Sequence, residues 1–185
     1  MSNFQDYKDI LEIFNSRDIE YLVVGAYAMG NFGYTRSTHD IDLWVNKSEK
    51  NAKKICDALE EFGVPFSIEP NDFMAQNSVI QIGLAPYRID ILTDIDGVDF
   101  ESAWKNKVDG IILGVQTSIV SLKDLMLNKS STNRPKDKLD MVQLEDLYKK
   151  KNEIQSTLDE ESKKKDNNLH PFIDPLSSLK KPTPF

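Results

Sequence analysis

Tyr21–Val45, YLVVGAYAMGNFGYTRSTHDIDLWV, is the stretch that decides the fold. A β-branched run ends in Gly25, a short helix-compatible segment and a polar loop follow, and a second apolar run then carries Asp40 and Asp42. Residues two apart in a strand share a face, so both carboxylates stand side by side while Ile41 and Leu43 enter the core. Adjacent like charges repel and pack nothing, and a divalent cation that neutralises them gives the pair a physical purpose. Mg²⁺ suits it, because hard cations use one or two carboxylates plus substrate phosphates, and paired ions clamp both oxygens of an in-line displacement.

Asp90 fits as a third carboxylate. In RIDIL (88–92) it alternates with Ile89 and Ile91, so it projects alone from one face of what should be a neighbouring strand. Asp94 and Asp96 are its rivals, but TDIDG ends in an Asp-Gly turn signal and reads as a solvated loop. Gly25 at a strand end lets a phosphate approach the backbone, and free amides in the next segment could receive its oxygens; a plain turn would explain the same glycine.

Around this centre the chain alternates strands and helices. Phe4, Tyr7, Leu11 and Phe14 have helical spacing, Ser48 caps a helix that Gly63 ends, and further strands fall at 78–82, 88–92 and 110–114, with a turn over Gly83–Pro86. From Ser121 the pattern is helical again, with Ser121 and Asp124 as a capping box and Asn133 and Pro135 starting a helix that carries Met141, Leu144, Leu147 and Tyr148. The expected fold class is α/β (α+β), a short mixed sheet flanked by helices and closed by C-terminal helices, over residues 1–160. Residues 161–185 are polar, contain four prolines and read as an extended or disordered tail.

Composition bounds the partners. The chain has 185 residues and a formal charge of −7, distributed as −9 over residues 1–120 and +2 over 121–185, so nucleic acid or an anionic membrane would have to be held locally. Cys56 is the single cysteine, which excludes an internal disulfide, and neither a leader nor an apolar span is present, which makes the cytoplasm the expected compartment and a membrane partner unexpected. His39 points to the strand face opposite the carboxylates, and Trp44 and Trp104 read as packing residues.

The stretch VGAYAMGNFGYTRSTHDIDLWV resembles the DNA polymerase beta-like nucleotidyltransferase superfamily, marked by glycine followed by glycine or serine and then Asp-x-Asp. Together with DLMLNKSSTNRPKDKLDMVQLEDL it is similar to small bacterial nucleotidyltransferases akin to AbiEii abortive-infection toxins, over roughly residues 20–150. Ala26 stands where the superfamily has its second glycine or serine, leaving only backbone amides to meet a phosphate there.

The resemblance implies transfer of a nucleoside monophosphate from ATP or another NTP to an acceptor hydroxyl, with two Mg²⁺ ions, or Mn²⁺ in their place, on Asp40, Asp42 and Asp90. Gly25 and Ala26 would cradle the β and γ phosphates, and Thr38 would orient Asp40. Arg36 would reach the triphosphate or pair with a nearby acid. Lys129, Arg134 and Lys136, in the segment that resembles the family's R-P-K-D run, would meet phosphates or an RNA acceptor, with Lys136 foremost; an ordinary Lys136–Asp140 helical pair is the competing expectation. The acceptor stays open among tRNA, in a toxin with a cognate antitoxin, a small molecule such as an antibiotic, and a protein. A noncatalytic NTP-binding or interaction protein is the alternative of another class.

Overall fold

The computed structural model describes residues 3–84 and 87–167. Met1–Tyr148 form one compact unit and Lys149–Phe185 a second. The elements of the first are α1 (Asn3–Ser16), β1 (Tyr21–Val24), α2 (Gly25–Asn31), β2 (Asp40–Val45), α3 (Glu49–Phe62), α4 (Pro70–Met74), β3 (Val79–Leu84), β4 (Tyr87–Leu92), α5 (Phe100–Asn106), β5 (Val108–Ile112), β6 (Val115–Ile119), α6 (Leu122–Ser131) and the start of α7 (Pro135–Asn167).

The six strands form one mixed sheet in the order β3-β4-β2-β1-β6-β5. β2 runs antiparallel to β1 and parallel to β4, so the start of β2 lies beside the end of β1 and the start of β4. The expected mixed sheet with flanking helices is therefore the observed architecture. Ile41, Leu43, Ile89 and Ile91 are completely or nearly buried on one face, and each such side chain contributes about 1.5–3 kcal/mol relative to exposure.

On the opposite face Trp44 is buried against Phe100 of α5, with its indole N–H donating to the Thr93 carbonyl at 3.3 Å. This face is thus covered at the Trp44 end of β2, while the Asp40 end borders a cleft. The packing role expected of both tryptophans is observed: Trp104 stacks on Phe100 at 5.8 Å between ring centroids.

Local signals explain most boundaries. Ser48 Oγ accepts from the Asn51 amide at 3.3 Å, and Gly63 ends α3 at φ +86°. Buried Asn51 also accepts from the Glu20 amide at 2.8 Å and donates to the carbonyls of Glu20 and Asn46, tying the entry of β1 to the exit of β2. Ser121 caps α6 by accepting from the Asp124 amide, but its hydroxyl then donates to the Asp124 carboxylate at 2.7 Å, so the reciprocal backbone bond of a capping box is replaced.

Three expectations need correction. Phe4 is exposed, and Ile10 takes the buried place on α1 beside Leu11 and Phe14. The expected strand 110–114 is the end of β5 plus a turn: Leu113 and Gly114 both have positive φ, and the chain returns as β6. The expected tail begins inside α7, which continues to Asn167. The remainder of that stretch, like Ala85 and Pro86 of the expected turn, lies outside the described residues.

Candidate active site

The strand registers assemble the carboxylates. Across the parallel β2–β4 pair Asp40 is opposite Arg88 and Asp42 is opposite Asp90, and across β3–β4 Gln81 is opposite Asp90. Residues in register share a sheet face, so Asp40, Asp42, Arg88, Asp90 and Gln81 stand together where β2 and β4 begin. All of them but Gln81 border a cleft of about 510 Å³ that is closed on another side by Asn128 and Lys129 of α6 and by Thr132, Arg134 and Lys136 around the start of α7.

Each carboxylate has its own surroundings. Thr38 Oγ1 donates to Asp40 Oδ1 at 2.6 Å, as expected of an orienting hydroxyl. Asp90 Oδ2 accepts from Arg88 Nη2 at 3.2 Å and from Gln81 Nε2 at 3.3 Å, while its buried Oδ1 has no hydrogen-bond partner. The same Arg88 nitrogen is 3.7 Å from Asp40 Oδ2. Burial, then the neighbouring Asp40 and Asp90 charges, push the Asp42 carboxyl up to about 6, against the opposing pull of Lys129 and Lys136.

Gly25 follows directly from β1 at φ +63°, and the Asp42 carboxylate occupies the space where a Cβ on residue 25 would be. Ala26, although next to it, lines a neighbouring cavity of about 390 Å³ with Thr38, Ile111 and Leu113. Arg36 borders both spaces. The expected residues Gly25, Arg36, Asp40, Asp42, Asp90, Lys129, Arg134 and Lys136 therefore share one cleft, whereas Ala26 and Thr38 lie beside it.

The basic residues divide into two kinds. Lys129 is 4% exposed and its ammonium contacts Asp137 at 2.6 Å and Asp140 at 3.4 Å. Asp137, wholly buried, also accepts from Thr132 Oγ1 and Arg134 Nε at 2.6 Å each. Burial alone would raise the Asp137 carboxyl, but these donors outweigh it and hold the group at about 2. Asp140 pairs with Arg36 at 3.2 Å rather than with Lys136, so the Lys136–Asp140 helical pair is not formed. Lys136 is exposed at the cleft and makes no salt bridge among the described residues.

Sequence reasoning missed Arg88, Gln81, Asn128 and Thr132. Arg88 had a readable signal, its place two residues before Asp90 on the same face; Gln81, Asn128 and Thr132 had none. Asp94 and Asp96, expected in a solvated loop, both border the cleft. Asp94 is half-buried; the Lys47 ammonium at 2.6 Å and the Asn77 amide at 2.8 Å overcome the upward effect of that burial and keep its carboxyl below the usual range.

The donors are of the kind a hard cation uses, and the unpartnered buried Oδ1 of Asp90 is an acceptor that such an ion would satisfy. As the side chains stand, no three Asp, Glu, His or Cys groups among the described residues are gathered to hold a metal ion. Asp40, Asp42 and Asp90 could hold one once their oxygens turn toward a common point. No helix among the described residues is long and apolar enough to cross a membrane.

The solved structures to which the chain is similar include LnuA, a lincosamide antibiotic adenylyltransferase with lincomycin bound, at 16% identity and TM-score 0.52 over 77% of this chain and 96% of LnuA. Another is TM1012 of Thermotoga maritima, given a provisional nucleotidyltransferase assignment, at 17% identity and TM-score 0.46 over 83% of this chain and 91% of that one. Among curated proteins nothing matches. The likeness to LnuA is one of fold, and it agrees with the polymerase-beta-like architecture expected from the Asp-x-Asp stretch. Residues 4–166 match the family described as "Nucleotidyltransferase of unknown function (DUF6036)", and the chain belongs to that nucleotidyltransferase family.

Proposed function

We propose that the chain transfers a nucleoside monophosphate from an NTP to an acceptor hydroxyl, with Mg²⁺ held by Asp40, Asp42 and Asp90. The observation that carries this reading is the strand register that sets Asp42 beside Asp90, and Asp40 one pleat away, at a cleft bordered also by Lys136, which makes no salt bridge among the described residues. When bound, Mg²⁺ supplies positive charge to the triphosphate and to the attacking oxygen.

The residues of the chain do the positioning. Gly25 brings the start of α2 to the cleft beside Asp42, Thr38 fixes Asp40, and Lys136 takes a phosphate oxygen. The acceptor oxygen attacks the α phosphorus, the bond to the bridging oxygen of the β phosphate breaks, and pyrophosphate leaves. The acceptor proton passes to the Asp90 carboxylate. Lys129, buried against Asp137, and Arg134, whose Nε donates to the same carboxylate, hold α6 against the start of α7.

A small hydroxylated molecule is the acceptor favoured here, because the fold neighbour LnuA covers almost its whole length with this chain and carries lincomycin. The competing acceptor is tRNA, in a toxin of the AbiEii kind with a cognate antitoxin. Incubating wild type and Asp42→Ala with α-³²P-labelled NTPs, Mg²⁺, bulk tRNA and a panel of hydroxylated antibiotics separates the two. Label on a small molecule from wild type alone is expected; label on tRNA alone moves the acceptor to RNA. Confirmed NTP binding with no transfer to any acceptor overturns catalysis in favour of a noncatalytic binding protein.

A further inference from the structure

The cleft holds two ion clusters of opposite character. In one, both oxygens of Asp137 are engaged at 2.6 Å by Lys129, Thr132 and Arg134. In the other, a single Arg88 nitrogen is divided between Asp90 Oδ2 at 3.2 Å and Asp40 Oδ2 at 3.7 Å. Arg88 Nε and Asp90 Oδ1 are buried there without hydrogen-bond partners. An arginine built for a permanent carboxylate pair uses its planar fork and satisfies each N–H. Arg88 does not, and it bridges two of the carboxylates assigned above to the metal.

We propose that Arg88 is a resident counter-cation of the metal-free cleft, displaced from Asp40 and Asp90 when a divalent ion binds and then available to a triphosphate oxygen. This inference rests on the metal reading of the preceding subsection and adds a positioning residue to it. The physical need is plain: Asp40 and Asp42 share one face of β2 and Asp90 lies in register with Asp42 on β4, so three like charges crowd one face of two adjoining strands. Arg88, placed by the same register, relieves Asp40 and Asp90. Because it carries one charge and sits on a flexible stem about one-third exposed, it can yield to an ion of two charges and turn toward the cleft without unfolding the strand.

Metal and nucleotide binding are coupled as a result. The ion must displace the guanidinium, and the nucleotide rewards that displacement by giving the guanidinium a new anion. The test is Mn²⁺ binding followed by electron paramagnetic resonance, with and without a nonhydrolysable NTP analogue, on wild type, Arg88→Met and Arg88→Lys. Arg88→Met should bind Mn²⁺ about tenfold more tightly than wild type without nucleotide, and should lose most of the tightening that nucleotide gives wild type, within the 5–150-fold range usual for coupled sites. Arg88→Lys, which keeps the charge but not the fork, should fall between them.

In EDTA, Arg88→Met should melt at a lower temperature than wild type. Equal or weaker Mn²⁺ affinity in a folded Arg88→Met overturns the proposal while leaving the metal reading intact. Should Arg88→Met fail to fold, wild-type nucleotide coupling retained in full by Arg88→Lys would overturn it equally. No Mn²⁺ on wild type or on either variant, with all proteins folded, overturns the metal reading and this proposal together.

Discussion

Gly25 and Asp42 occupy the same small space: the carboxylate of one fills the place where a Cβ on the other would be, and Gly25 holds φ +63° to permit it. The start of α2, directly after β1, and the carboxylate-bearing face of β2 are thereby fitted to each other at one point. Gly25→Ala should cost about 1–2 kcal/mol for the left-handed backbone alone, and more for displacing Asp42. Gly33 at φ +97° has open space around it, so Gly33→Ala isolates the backbone cost. Urea denaturation should show the larger loss for Gly25→Ala, with nucleotidyl transfer falling only in that variant; equal losses would dismiss the contact with Asp42.

Asp137 and Lys129 make acid sensitivity predictable. The Asp137 carboxyl is held at about 2 in the folded protein, below its value in the unfolded chain. A depressed carboxyl contributes stability that is complete above roughly pH 4 and is lost as the pH falls through the folded value. Asp137→Asn leaves the Lys129 ammonium buried with only Asp140 at 3.4 Å. The substitution should therefore cost about 3–5 kcal/mol at pH 7, and the gap from wild type should narrow as both are unfolded by urea between pH 4 and pH 2. A gap independent of pH would contradict this linkage.

Arg36 and Asp140 attach the polar loop before β2 to α7. Arg36 is the only lysine or arginine of that loop, its partner is 3% exposed, and Thr38, two residues on, fixes Asp40. Arg36→Met should therefore loosen the loop more than the core: amide hydrogen exchange should quicken across 33–39 while β1 and β4 stay protected. The stability loss should be smaller than that of Asp137→Asn, because Asp140 keeps Lys129.

The sheet and its carboxylates were legible because their signal is local. Alternation in DIDLWV and YRIDIL sets which side chains share a face, and three of the strands follow from it within one or two residues. The β5–β6 hairpin escaped because its turn places Leu113 at φ +51°, where glycine or asparagine would have been the readable choice. The destination of the basic residues was equally hidden. Lys129, Arg134 and Lys136 look alike in sequence, but helical phase and the α6–α7 turn bury the first against Asp137 and leave the last at the cleft. Ion pairing across elements has no periodicity to read.

Lys136 and Lys129 should accordingly part company under mutation. Lys136 is exposed beside the carboxylates, so Lys136→Ala should change stability by no more than about 0.5 kcal/mol. Losing one charged phosphate contact should weaken NTP binding by about 1.5–3 kcal/mol, roughly tenfold or more in Kd. Lys129→Ala should do the reverse in its first effect, stripping Asp137 of its buried counter-charge and lowering the melting temperature before any ligand is added. Calorimetric titration of a nonhydrolysable NTP into each folded variant distinguishes them. Unchanged affinity in Lys136→Ala would remove Lys136 from the phosphate site and shift that role to Arg88, a cleft cation whose Nε has no hydrogen-bond partner.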